Sequence, residues 1–152
     1  MGIFKSKLDK QVELGVSELQ ELVTKHYNDW DKALKLTITA KRAAEFPLKT
    51  IEPVIRNMWV ECYVRAMLLH TECEIEYKAI AVRVPEIEFM FPIGKLGQIV
   101  RDQGRRMGAD LGSVVFDICA IKPEYRETLG LHLEEPELSK IKNEAKEAIK
   151  NR

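Results

Sequence analysis

Two glycines and a lysine gather where an alternating apolar run gives way to a helical pattern, in Phe91-Pro92-Ile93-Gly94-Lys95-Leu96-Gly97. Unpaired backbone N–H groups at a helix start, with the positive end of the helix dipole, suit an anion. Lys95 would add a point charge. Arg101, further along, would add a guanidinium able to hold a phosphate or carboxylate bidentately. Gly94, Lys95, Gly97 and Arg101 are therefore the candidate anion-binding residues. Their spacing matches neither G-x-x-x-x-G-K-[ST] nor G-x-G-x-x-G, so no nucleotide fingerprint is present. The plainer alternative gives Gly94 to the turn and Gly97 to close packing.

Three other groups invite chemistry and each has an ordinary explanation. Lys95, Arg101, Arg105 and Arg106 share one helical arc, but Asp102 sits among them at ion-pairing distance along the helix. No aromatic residue interleaves there, so no stacking platform for single-stranded nucleic acid is visible. Cys62 and Cys73, if on one helix, lie about 16 Å apart along its axis and cannot ligate one metal. His70 and Cys73 can, but only with two further donors, for which Cys119 and His132 are the obvious choices. Buried thiols and a satisfied histidine explain the same residues, so no metal site is assigned. Glu74, Glu76, Glu86 and Glu88 alternate with apolar residues as a solvated strand face would. Neither G-x-S-x-G nor H-E-x-x-H occurs. No catalytic residue, enzyme signature or cofactor follows from the sequence.

The element that must position the anion candidates is the stretch Pro92–Gly112. At about 100° per residue, Leu96, Val100, Gln103 and Met107 gather on one side, with a basic arc opposite. Between them runs a stripe of Gly97, Gly104 and Gly108. Each glycine in a helix costs roughly 1 kcal/mol relative to alanine. A close neighbour, either a backbone or a ligand, would offset that cost.

Upstream, Leu8, Val12, Val16, Leu19, Val23 and Tyr27 predict an amphipathic helix. Asn28 or Asp29 predicts a break before a second helix carrying Trp30, Ala33, Leu34, Ile38 and Ala44, although Leu36–Thr39 fits a short strand equally well. Thr50 reads as the N-cap of a third helix, Glu52–Thr71, whose apolar residues cover more than half its circumference. Such a helix is central to a fold or half of an oligomer interface. Ile75–Val84, Ile87–Phe91, Val114–Ile121 and Thr128–Glu134 read as strands, the last with Leu129, Leu131 and Leu133 inward. Pro136 opens a C-terminal helix bearing Leu138, Ile141, Ala145 and Ile149.

The expected fold is therefore α+β: three N-terminal helices, then two strand-strand-helix units. These would form an antiparallel sheet of about four strands with helices on one face. A single domain spanning 1–152 is expected, with a helical part at about 8–71 and an α+β part at about 74–150.

Lys+Arg and Asp+Glu both number 24, giving zero formal charge. That balance argues against a general nucleic-acid binder. The most apolar window, Val54–Leu69, contains Arg56, Glu61 and Arg65, so no transmembrane segment is expected. Three cysteines, no C-x-x-C and no apolar leader before Leu8 point to the cytoplasm. Met1-Gly2-Ile3-Phe4-Lys5-Ser6 fits the myristoylation pattern at Gly2, a pattern too short to be diagnostic. The functional expectation is a small soluble interaction protein, homo-oligomeric and most simply a homodimer, joined through the apolar helix or the glycine stripe. The alternative is a binding module or enzyme for a phosphorylated or carboxylated small molecule at residues 92–101.

Overall fold

Ile51, Ile55, Met58, Cys62, Leu69, Cys73, Tyr77 and Ile80 recur at spacings of three, four and seven, and all are buried. They form one side of a single helix, α3 (Leu48–Arg83), in the computed structural model, which describes residues 6–152. Its 36 residues make it about 54 Å long. Two other long helices, α1 (Lys7–Thr37) and α5 (Ile93–Ile121), lie against it. Both run antiparallel to α3. Gly15 of α1 meets Ile80 while His26 pairs with Glu72, and Gly104 of α5 meets Ala66 while Gly108 approaches Trp59. Tyr27 joins α1 to α5, donating its hydroxyl to Asp110 at 2.6 Å with Arg106 stacked 3.6 Å over its ring.

Short elements close the ends. Ser6 caps α1 in a reciprocal box with Asp9, the Asp9 N–H donating to Ser6 Oγ at 3.0 Å. α2 (Ala40–Ala43) follows α1, and α4 (Ile87–Met90) bridges α3 to α5. α6 (Arg126–Gly130) lies between turns of 3₁₀ helix at Pro123–Tyr125 and Leu131–Leu133. α7 (Glu137–Lys150) then packs on α3, with Glu144 paired to Arg56 and Lys142 set 5.7 Å over the Tyr63 ring. Prolines 47 and 92 stand at the N-caps of α3 and α5. In each case a tyrosine hydroxyl donates to the preceding phenylalanine carbonyl: Tyr125 to Phe46 at 2.8 Å and Tyr77 to Phe91 at 2.7 Å. No helix among the described residues is long and apolar enough to cross a membrane.

This architecture overturns the α+β expectation, because none of the described residues lies in a strand. Ile75–Val84 continues α3, with Cys73, Tyr77 and Ile80 inward and Ile75 and Val82 outward. β-branched residues disfavour a helix only slightly, so packing overrides them. A Glu74–Lys78 pair at 3.3 Å adds helical support. Val114–Ile121 forms the last turns of α5, extending its buried series Leu96, Val100, Met107, Leu111 and Ile118. Ile87–Phe91 contains the single helical turn α4. In Thr128–Glu134 the buried residues are Leu129 and His132, three apart, while Leu131 and Leu133 are exposed. The expected division into a helical part and an α+β part falls inside α3. The expected break at Asn28 is also absent, since Val23, Trp30 and Leu34 keep one buried face through it.

Glycine is required at a position outside the stripe. A Cβ on Gly15 would lie 2.8 Å from Ile80 Cγ2 and 3.3 Å from Ile87 Cδ1. At Gly104 the nearest atom is Ala66 Cβ at 3.7 Å, an ordinary contact. Gly15→Ala should therefore cost about 1–3 kcal/mol by overpacking. Gly104→Ala should gain up to about 1 kcal/mol of helix propensity. Urea unfolding of the two variants should shift their midpoints in opposite directions; a Gly15→Ala midpoint at or above wild type would contradict the packing.

Candidate functional site

Three of the four anion candidates meet at one cleft. α3 contributes His70, Cys73 and Glu74, and the first turns of α5 contribute Gly94, Gly97 and Arg101, around a volume of about 190 Å³. Lys95 is exposed and does not line it. The start of α5 has no side-chain cap, and nothing lies within 4 Å of where a Gly94 Cβ would be, so the backbone there is open. A Cβ on Gly97 would lie 3.3 Å from the Arg101 guanidinium.

The electrostatics are mixed. Glu74 places a carboxylate in the cleft, held between Lys78 at 3.3 Å and His70 at 3.8 Å. Arg101 donates to Gln98 Oε1 at 3.0 Å, Gln98 donates to Asp102 at 2.8 Å, and Asp102 faces Arg105 at 3.5 Å. The basic arc is thus largely spent on its own helix, and Arg106 is spent on Tyr27. Arg101 remains the group best placed to turn toward a ligand.

Cysteine chemistry is muted. Cys62, Cys73 and Cys119 are all free and buried. Burial pushes the Cys62 thiol up to about 12 and the Cys73 thiol up to about 11, and raises Cys119 as well. Each is a protonated thiol at neutral pH, unsuited to nucleophilic attack. Cys119 and His132 do not join His70 and Cys73, and no group of three metal-ligating side chains occurs among the described residues.

Of the glycine stripe, Gly104 and Gly108 face α3 of the same chain; a Cβ on Gly108 would come 4.0 Å from Trp59. The stripe therefore packs inside the bundle at two of its three positions.

The sequence offered His132 only as a possible metal donor, and two features of the packed chain lay beyond it. One is the isolation of His132, buried in the turn before α7 with neither ring nitrogen hydrogen-bonded among the described residues, and with Glu52 3.6 Å from Nε2. The other is the outer face of α3. Val64, Ile75 and Val82 project within about 20° of one another. Val64 is 0% exposed, Ile75 63% and Val82 82%. Among the described residues, α7 and the C-terminus make their polar contacts with α3 at Arg56, Glu61 and Tyr63, on its first half. Beyond them the face lies open. The spacing of 7 from Ile75 to Val82 was the available signal, hidden by reading that stretch as a strand. Phe89 on α4, 91% exposed, adds apolar surface at the same end of α3.

Comparison with protein-family models, with curated proteins and with solved structures finds no match to this chain.

His132 carries a pH signature. Burial lowers its pKa, and Arg56 adds to this, against opposing pulls from Glu52 and Glu137. The folded state thus favours the neutral ring. The effect costs nothing above the ordinary histidine value and destabilises progressively as pH falls through it. The gap in melting temperature between wild type and His132→Leu should shift in favour of the variant from pH 7.5 to pH 5. Parallel pH curves would refute it.

Proposed function

We propose that the chain is a small interaction protein that pairs with a second copy of itself through the outer face of α3, from Leu68 to Val82. The observation that carries this reading is the change in exposure along one helical line, from buried Val64 to open Ile75 and Val82. Leu68, Thr71 and Lys78 lie on the same line, giving a ridge about 21 Å long whose apolar members are Leu68, Ile75 and Val82, with the Lys78 ammonium drawn toward Glu74. Contiguous exposed apolar surface on a small charged protein marks an interaction site. A single ridge repeated in a second copy satisfies a two-fold interface, in which the same patch serves both partners. The three unpaired thiols support a cytoplasmic setting for such a pair.

Sedimentation equilibrium at micromolar protein should give twice the 17.5 kDa chain mass. Ile75→Glu with Val82→Glu should return the mass to that of one chain, without unfolding it, because both positions are solvent-exposed. A wild-type mass of one chain would overturn the reading.

A second reading rests on the convergence of Gly94, Gly97 and Arg101 at the α3–α5 cleft. There the chain would bind a phosphorylated or carboxylated small molecule, with Glu74 selecting for ligands that also carry a donor. Inorganic phosphate and sugar phosphates should then raise the melting temperature, with saturation at 100 Kd worth about 2.7 kcal/mol. Lys95→Ala with Arg101→Ala should abolish the shift; an equal response in that variant would exclude the cleft.

A further inference from the structure

A different corner of the molecule combines apolar walls with an uncommitted cation. Where α1 ends, α2 turns and α3 begins, a cleft of about 190 Å³ opens. Ile38, Ala43, Ile51, Val54 and Phe46 supply five of its eight lining residues. Ile38, Ala43 and Ile51 are buried core side chains and form a fixed floor. Phe46 is half-exposed and forms a lip, its backbone carbonyl held by the Tyr125 hydroxyl at 2.8 Å. The lip is thus anchored by the turn that follows α5.

Arg42 is the single charged residue lining this cleft. Its backbone N–H is used by Thr39, but its guanidinium makes no hydrogen bond or ion pair with the described residues. Of the other polar linings, Thr37 already donates its hydroxyl to the Ala33 carbonyl at 2.7 Å. Residues 37–54, which span the lining, carry Lys41, Arg42 and Lys49 against Glu45 and Glu52, a net charge of +1. This contrasts with the α3–α5 cleft, where Glu74 opposes an anion and Arg101 is already engaged.

From this combination we infer that the α1–α2–α3 corner binds a short-chain aliphatic carboxylate, its tail on Ile38, Ala43 and Ile51 and its carboxylate on Arg42. The size fits. An apolar cavity of about 150 Å³ holds a molecule as large as benzene, so a cleft of 190 Å³ takes about six to eight heavy atoms. An aliphatic tail gains from leaving water for the apolar floor. The guanidinium meets the carboxylate in a charge-assisted, bidentate geometry. The site is independent of self-association: a chain found to be monomeric would leave it standing.

Hexanoate titrated into the full chain, followed by amide chemical shifts in NMR, tests the assignment. The shifts should centre on residues 37–54 and saturate. Hexylamine, of the same length and opposite charge, should bind at least tenfold more weakly. Arg42→Gln should weaken hexanoate about tenfold, the loss of one charged hydrogen-bonding partner. Thr50→Phe, a substitution at an exposed lining position, should block the cleft and abolish the response with the fold intact by circular dichroism. Equal binding of hexanoate and hexylamine, shifts centred elsewhere, no saturable response, or unchanged binding in both variants would each overturn the inference.

Discussion

The structure depends on one constraint: a 36-residue helix with apolar side chains along its full length must be covered along that length. Only elements of similar extent can do so. α1 with 31 residues and α5 with 29 meet the requirement, and both run back along α3 in the opposite direction. The fourth element, α7, has 14 residues. It covers one part of the remaining face and leaves Ile75 and Val82 mostly exposed. The uneven exposure along α3 is thus a matter of length rather than of composition. The close passage of α1 past Ile80 and Ile87, where Gly15 admits no side chain, belongs to the same requirement.

The two Phe-Pro junctions show how the bundle fixes its turns. A proline at the N-cap has no N–H to give, and the carbonyl just before it points away from the helix that follows. Left unpaired in a half-buried place, such a carbonyl would cost about 1–3 kcal/mol. Tyr125 and Tyr77 each reach across from another part of the chain to satisfy one. Both tyrosines are partly or fully buried, so each bond also fixes an apolar ring. The starts of α3 and α5 are consequently set by long-range contacts, and not by local capping residues.

Much of the helical content was legible, and much of the rest was misread for an identifiable reason. The 3–4 spacing from Leu8 to Tyr27, the apolar run from Ile55 to Leu69 and the pattern after Pro136 each lie in a helix, the first two in helices longer than expected. The errors cluster where β-branched and aromatic residues are dense, as in Ile75–Val84 and Val114–Ile121. A short run such as Ile-Glu-Tyr-Lys-Ala-Ile satisfies alternation and helical spacing about equally. What decides is the series continued from outside the window: Cys73, Tyr77 and Ile80 extend Leu69, and Ile118 extends Leu111. For the cleft, sequence brought together Gly94, Gly97 and Arg101 because they are local. It had no means of adding His70 and Glu74 from α3, or of placing Arg42 beside Ile51, since those pairings exist only after the helices pack.

The three thiols, scattered along α3 and α5 and sealed in the interior, give the molecule a built-in gauge of its own cohesion. A maleimide finds none of them while the helices remain together. Labelling at any one would time the opening of its surroundings: Cys73 for the end nearer α4, Cys62 for the middle, Cys119 for the end near α6. If the three react in step, the bundle opens as one unit; if they react in sequence, its ends come apart separately.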